Sequence, residues 1–110
     1  MYGICSTIFL VMNIEVAQVV WDDINKEHIW SKHKLSQDEV EQAVWNKSRL
    51  ATQLANGRIL LLGITEKRKL ISVIISPKDI ARTIWYPVTA RRASRKEHYL
   101  FNQSKGGEYK

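Results

Sequence analysis

The hydrophobic pattern changes its period once, near residue 47, and this change constrains the fold more than any other feature of the chain. Before it, Val40, Ala43 and Val44 recur at the spacing that gives a helix one apolar stripe. After it, one set of side chains, Leu50, Thr52 and Leu54, alternates with a second set, Arg49, Ala51 and Gln53, as on the two faces of a half-buried strand. The order of the two patterns predicts an α+β fold with helices first and a mainly antiparallel sheet after them.

Local signals place the boundaries of these elements. A strand is predicted over residues 14–20, and Asp22 is a good N-cap for a helix that ends near His33 or Lys34. Ser36 and Glu39 form a capping box for a second helix, which fades near Asn46. Four further strands are predicted, over residues 50–54, 58–65, 70–76 and 80–90. A second capping box predicts a short basic C-terminal helix over residues 95–102.

Two loop signals refine the predicted sheet. Asn56 and Gly57 predict a two-residue hairpin turn, because both positions of that turn need positive φ. Pro87 has no N–H to donate, which predicts an edge position or a bulge in the last strand. The 110 residues suit a single domain, with residues 1–13 as a leader or an extra strand and residues 104–110 as a flexible tail.

Charge is distributed unevenly along the chain. Residues 1–46 have a net charge of −4 and residues 47–110 a net charge of +10. Such asymmetry favours a basic surface that faces nucleic acid, although a high isoelectric point can also reflect solubility alone.

Several classes of function are disfavoured by counting residues. One cysteine, Cys5, and three histidines cannot build a cysteine-rich zinc site, and the acidic residues of the second half are scattered. No glycine-rich phosphate loop is present, so we expect neither a metal nor a cofactor. The apolar stretch at residues 3–12 is too short to span a bilayer, which needs about 20 residues. We therefore expect a cytoplasmic protein with no membrane partner.

The segment from residue 89 to residue 99 is the richest in candidate binding groups. On a helical wheel, cations and one tyrosine share an arc that can neutralise phosphates and stack on a base, namely Arg92, Arg95, Lys96 and Tyr99. The backbone N–H groups at Ser94 add an anion-binding helix terminus. A solvated surface helix that binds nothing is the alternative interpretation.

Arg91 and Glu97 have two interpretations each. Arg91 ends the last strand, where counting by twos places it on one face with Thr83, Trp85 and Thr89. Its guanidinium could stabilise a pentavalent phosphate or pair with a carboxylate of the N-terminal helices. Glu97 could act as a base, although capping alone accounts for it.

The histidines of the first helix are candidate acid–base groups. His28 falls between Ile24 and Ile29 and is interpreted as a hydrogen-bonded, partly buried residue. His33 ends the helix beside Lys32 and should be more exposed, which suits a general base, although interaction with the helix dipole is the commoner role.

These segments resemble a known family when they are taken in order. The opening residues, from Trp21 and Asp22 through His28, Lys32 and His33 to residues 39–41, resemble the opening of the BrnT-family toxins. Residues 88–97 resemble the closing segment of that family, a strand that runs into a short basic helix. Three residues at two places differ from the family. Lys34 stands where the family has glycine, and His98 and Tyr99 stand where it has two arginines.

The resemblance implies a RelE-like fold and a type II toxin, a ribonuclease that stops translation. It implies neutralisation by a ribbon-helix-helix antitoxin, and binding of operator DNA only by the toxin–antitoxin complex. The resemblance implies that the functional residues are Lys32, His33, Arg91, Ser94, Arg95 and Lys96.

Three hypotheses follow from the sequence. The first is a metal-independent endoribonuclease acting on mRNA, with His33, Arg91 and Glu97 as catalytic residues and RNA held by Lys32, Arg92, Ser94, Arg95, Lys96 and Tyr99. The second is a non-catalytic module that binds RNA or DNA with the same basic face. The third is an interaction subunit whose basic half contacts an acidic protein.

Overall fold

The computed structural model describes residues 11–104, which form three helices and six strands. The helices are α1 (Asp23–His33), α2 (Gln37–Val44) and α3 (Arg95–Ser104). The strands are β1 (Val11–Met12), β2 (Gln18–Val19), β3 (Leu50–Gln53), β4 (Ile59–Ile64), β5 (Leu70–Pro77) and β6 (Ile84–Arg92). The predicted α+β class is confirmed.

The strands form one sheet in the order β1-β3-β4-β5-β6-β2. All neighbouring pairs are antiparallel except β2 and β6, which are parallel. The prediction of about four strands covered β3 to β6, and the two short edge strands extend that set to six. The first strand was predicted over residues 14–20 but is confined to Gln18–Val19, with β1 preceding it.

One face of the sheet packs against α1 and α2. The central cross-strand row on this face is apolar and fully buried, consisting of Ala51, Leu61, Val73 and Ala90. Ile29 of α1 and Val40 and Val44 of α2 complete the core over it. The apolar stripe predicted for α2 therefore forms part of the main core, whereas Ile24 of α1 is exposed.

The adjacent row lies on the opposite face and changes from apolar to polar across the sheet. Leu50 pairs with Leu62, Leu62 with Ser72, and Ser72 with Arg91. Helix α3 packs over this row and presents Phe101 to its apolar end. The polar end of the row, at Ser72 and Arg91, is not covered by this apolar contact.

Asn25 joins α1 to the edge of the sheet. Its side-chain oxygen accepts a 2.9 Å hydrogen bond from the Asp22 N–H, which completes a capping box at the start of α1. Its amide nitrogen donates to the carbonyl oxygens of Val20, at 3.2 Å, and Pro87, at 3.0 Å. Because Asn25 is 2% exposed and these groups are all paired, it stabilises the α1–β6 contact without leaving a buried polar group unsatisfied.

A bulge interrupts β6 at Val88. Ile74 pairs with Thr89 and Ile75 pairs with Pro87, so Val88 has no partner on β5. The predicted bulge near Pro87 is thus confirmed, and it shifts the alternation of the strand by one residue.

The bulge also corrects a prediction about Arg91. Trp85 and Ala90 are buried on the helix-covered face, whereas Thr89 and Arg91 point to the other face. Counting by twos had placed Arg91 with Trp85, which is wrong because an extra residue lies between them.

The start of β6 was also predicted too early. The strand begins at Ile84 rather than at residue 80, because the Asp79 carboxylate accepts hydrogen bonds from the backbone N–H groups of Thr83 and Ile84 and holds a turn. Ile80 is fully exposed in that turn. Arg82 has a structural role, donating to the Gly57 carbonyl oxygen at 3.2 Å.

The β3–β4 connection is a three-residue loop instead of the predicted two-residue turn. Asn56 and Gly57 do have the predicted positive φ, at 61° and 75°. Helix α3 continues to Ser104, two residues beyond the predicted end. Most of the predicted leader, residues 1–10, and most of the predicted tail, residues 105–110, lie outside the described residues.

The described helices are short. Within residues 11–104, none has both the length and the apolar composition needed to cross a bilayer.

Gly63 tests the packing of α2 on the sheet. A Cβ added at Gly63 would lie 2.7 Å from the carbonyl carbon of Ala43, which belongs to the backbone of α2 and cannot move alone. We expect Gly63→Ala to lower the free energy of unfolding by about 1–3 kcal/mol, the usual effect of overpacking, measured by urea denaturation.

Gln53→Ala, at an exposed position of β3, is the matched control and should change stability by less than about 0.5 kcal/mol. A Gly63→Ala protein with the midpoint of the parent would show that α2 does not rest on this strand.

Candidate functional site

The carboxylate of Glu97 organises the junction between β6 and α3. It accepts two hydrogen bonds from Arg91, Nη1 to Oε1 and Nη2 to Oε2, each at 2.8 Å. It also accepts the backbone N–H of Ser94 at 2.8 Å, and the Ser94 hydroxyl in turn accepts the Glu97 N–H at 3.2 Å. The Ser72 hydroxyl of β5 lies 3.5 Å away. Glu97 therefore occupies the polar end of the cross-strand row beneath α3.

These contacts decide the charge state of Glu97. Burial raises the pKa of its carboxyl, but the hydrogen bonds from Arg91 and from the Ser94 N–H outweigh burial and hold the pKa below its ordinary value. Its side chain is only 11% exposed. The carboxylate is therefore ionised at neutral pH and its acceptor positions are occupied, so the capping interpretation describes its contacts well.

Arg91 is fixed in place by this pair. Besides Glu97, its Nη1 donates to the Arg92 carbonyl oxygen at 3.2 Å. The sequence allowed pairing with a carboxylate of the N-terminal helices, and the structure shows a carboxylate of α3 instead. The Arg91 side chain remains 46% exposed, and within residues 11–104 its Nε–H and one Nη2–H have no partner. Arg91 thus keeps two donors that a phosphate could accept from.

The other cations predicted to bind nucleic acid lie on the surface. Arg92 ends β6, Arg95 and Lys96 open α3, and all three are exposed and form no ion pair within the described part of the chain. Tyr99, one turn further along α3, is 64% exposed. The end of β6 and the start of α3 therefore present one continuous run of positive charge beside an aromatic ring.

The C-terminal end of α1 carries the histidines. The ring centroids of His28 and His33 are 6.1 Å apart with an interplanar angle of 72°. His28 Nε2 lies 3.3 Å from the Thr89 hydroxyl on β6. His28 is exposed and His33 is partly buried, so the predicted order of exposure is wrong.

Lys34 explains one departure from the resembled family. It follows α1 with φ 59° and ψ 32°, the left-handed conformation that glycine adopts most easily, and its N–H donates to the Trp30 carbonyl oxygen at 2.9 Å. Helix α1 therefore ends with the left-handed residue that glycine usually supplies, although a lysine occupies the position here. Lys32, on the last turn beside His33, is exposed.

The structure brings the predicted residues together in two groups. Arg91, Ser94 and Glu97 are in direct contact, with Arg92, Arg95 and Lys96 adjacent to them in the chain. Lys32 and His33 form a second group, joined to β6 through His28 and Thr89. Sequence reasoning missed Ser72, because its position depends on strand register, and gave His28 no functional role. Among residues 11–104, no cluster of three or more His, Cys, Asp or Glu side chains could hold a metal.

The fold is similar to that of a solved structure, the Brucella abortus ribonuclease toxin BrnT. The match has a TM-score of 0.57 and 20% sequence identity, and it covers 71% of this chain and 97% of that chain. It confirms the resemblance noted in the sequence at the level of the fold. No protein-family model matches the chain, and no curated protein matches it.

Glu97→Gln tests the junction through its pH dependence. Because the folded pKa of Glu97 is below its ordinary value of 4.5, its stabilisation is fully present above about pH 4.5 and is lost as pH falls through the folded pKa. We expect the variant to lose about 1–3 kcal/mol at pH 7, and the difference from the parent to shrink as the solution is acidified, in urea titrations at several pH values.

Glu27→Gln, on the exposed surface of α1, is the control and should follow the parent at every pH. If Glu97→Gln differs from the parent by the same amount at pH 3 and pH 7, the carboxylate is not the group that stabilises the junction.

Proposed function

We propose that this protein is the toxin of a type II toxin–antitoxin system, an endoribonuclease that cleaves mRNA without a metal ion and so inhibits translation. The observation that carries the proposal is the similarity of its fold to a ribonuclease toxin, together with a basic surface at the end of β6 and the start of α3. The similarity supports the class of chemistry, and the surface supplies groups suited to a polyanion.

The reaction needs few groups from the protein. The 2′-OH of the RNA attacks the adjacent phosphorus, so the protein supplies orientation, a proton acceptor and stabilisation of developing charge. In this proposal His33 accepts the proton of the 2′-OH. Its position at the end of α1, beside Lys32, places an acid–base group next to a cation.

The nucleic-acid strand would follow the exposed cations. Arg92, Arg95 and Lys96 would neutralise phosphates, and the exposed ring of Tyr99 could stack on an unpaired base. Ser94 stands at the N-terminus of α3, where the backbone favours anions. Lys32 would contact the same strand from α1.

Arg91 and Glu97 would act as a unit. The remaining donors of Arg91 can contact a phosphate oxygen, while Glu97 holds the guanidinium in one orientation. This geometry favours a role for Arg91 in stabilising charge on the phosphate. The sequence also offered Glu97 as a base, but the contacts of its carboxylate favour the positioning role.

The resemblance also suggests partners for this proposal. We expect a ribbon-helix-helix antitoxin, encoded beside the toxin, to neutralise it in the cytoplasm. The two proteins together would bind operator DNA. A short neighbouring reading frame that encodes such a protein, and whose product relieves growth arrest on co-expression, would support this partner.

A non-catalytic RNA- or DNA-binding module is the second candidate. The pairing of Arg91 with Glu97 favours it, because this pair neutralises much of the charge that would otherwise act on a phosphate. The two candidates share one surface and differ only in whether the bound strand is cut.

Cleavage in the presence of a chelator separates the candidates. Purified protein is incubated with end-labelled single-stranded RNA in EDTA, and the products are resolved on a gel. We expect cleavage, because the proposed groups are all side chains. Retention of uncut RNA would support the binding module. Absence of RNA binding even at low salt would favour the third hypothesis, an interaction subunit.

Charge variants test the surface in the same assay. Arg95→Gln/Lys96→Gln should weaken RNA binding and reduce its salt slope by about 1–2, since each phosphate contact contributes about 0.7–0.9 to that slope. Lys47→Gln/Arg58→Gln removes two exposed charges away from α3, on the α2–β3 connection and the β3–β4 loop, and should leave binding close to that of the parent. Equal losses in both pairs would mean that net charge, and not this surface, holds the RNA.

A further inference from the structure

The histidine pair at the end of α1 has a geometry that the sequence does not predict. Residues five positions apart on a regular helix diverge by about 140°, so His28 and His33 should not face each other. Their ring centroids are nevertheless 6.1 Å apart, and the 72° angle between the planes means that the rings do not stack. Two imidazoles at this distance can both reach one phosphate group placed between them, given hydrogen bonds of about 2.6–3.2 Å.

Thr89 orients the first ring of the pair. Its hydroxyl lies 3.3 Å from Nε2 of His28 and can accept a hydrogen bond from an Nε2–H. A histidine held in this way carries its titrating proton on Nδ1, because Nε2 keeps its own proton in both charge states. Thr89 and Arg91 lie on the same face of β6, so this strand connects the histidine pair to the basic surface.

A cleft beside His28 leaves room for part of a nucleotide. It has a volume of about 440 Å³ and is lined by Ile24, Asn25, His28, Tyr86, Val88 and Thr89. Its lining is mostly apolar, with the phenol of Tyr86 hydrogen-bonded to Asp22 at 3.0 Å. Such a cleft suits a sugar or base better than a phosphate, which places the phosphate beside the two histidines.

We infer that His28 is a second catalytic residue of the proposed ribonuclease and forms an acid–base couple with His33. The inference rests on the proposed function. His33 takes the proton of the 2′-OH as the 2′-oxygen forms its bond to phosphorus. The bond between phosphorus and the 5′-oxygen breaks, and the imidazolium of His28 gives its Nδ1 proton to that leaving oxygen. The products are a 2′,3′-cyclic phosphate and a 5′-hydroxyl, with no net change in protons.

Charged and titratable groups of both signs surround the pair. Lys32 adjoins His33 and Lys34 follows it on the same element, while β6 contributes Tyr86, Arg91 and Arg92. The acids are Glu27, which precedes His28, and Asp22, which accepts a hydrogen bond from Tyr86. A couple that needs one protonated and one neutral ring should have a bell-shaped pH–rate profile.

A substrate with a better leaving group tests the role of His28 directly. The assay compares ordinary RNA with RNA in which sulfur replaces the bridging 5′-oxygen at one linkage, because a thiolate leaves without being protonated. We expect His28→Asn to slow cleavage of ordinary RNA by about 100-fold or more, and of the sulfur-linked RNA by less than about 3-fold. His33→Asn should slow both substrates, and His28→Asn should lose the alkaline limb of the pH profile.

The controls separate the possible failures. Gln53→Ala, at an exposed and uncharged position of β3, should cleave both substrates as the parent does, and thermal unfolding checks that each variant is folded. Parent-like rates in His28→Asn, or equal losses on both substrates, would overturn the couple while leaving the ribonuclease intact. If the parent protein cleaves neither substrate, the proposed function itself fails and the couple fails with it.

Discussion

A carboxylate that is almost fully buried needs hydrogen bonds or an opposite charge to offset its lost hydration. At Glu97 this requirement determines how β6 and α3 meet. Its partners come from the start of α3, from the end of β6 and from the middle of β5. A hydrogen bond to a charged group contributes about 1.5–3 kcal/mol, more than most surface interactions contribute. The orientation of Arg91 and the entry of α3 are thus set by one side chain.

Asn25 likewise links a helix to β6, in this case α1. Its amide and carbonyl groups join the start of α1 to the chain before it and to the bulged strand. The middle of β6 at Pro87 and its end at Arg91 are therefore each held to a helix by a polar side chain whose hydrogen bonds are satisfied. Thr89 lies between these two points of the strand and contacts His28 of α1.

The sequence predicted what depends on local chemistry. Helix starts followed from capping residues such as Asp22 and Ser36, and positive φ at Asn56 followed from the turn that it begins. What it could not predict depends on register, because one extra residue inverts every later position in a strand. The face of Arg91 was assigned wrongly for this reason. The approach of His28 to His33 was missed because a helical wheel gives the direction in which each side chain leaves the helix and not the position of its ring.

The extra residue at Val88 has a further consequence for how the strand can vary. On one side of it the strand buries Trp85 beneath the helices, and on the other it presents Arg91 to solvent. The first half is therefore constrained by close packing, whereas in the second half Ala90 packs in the core and Arg91 is constrained by the chemistry of what is bound. Substitutions in one half need not disturb the other, whereas a deletion of a single residue would exchange inside and outside for the rest of the strand.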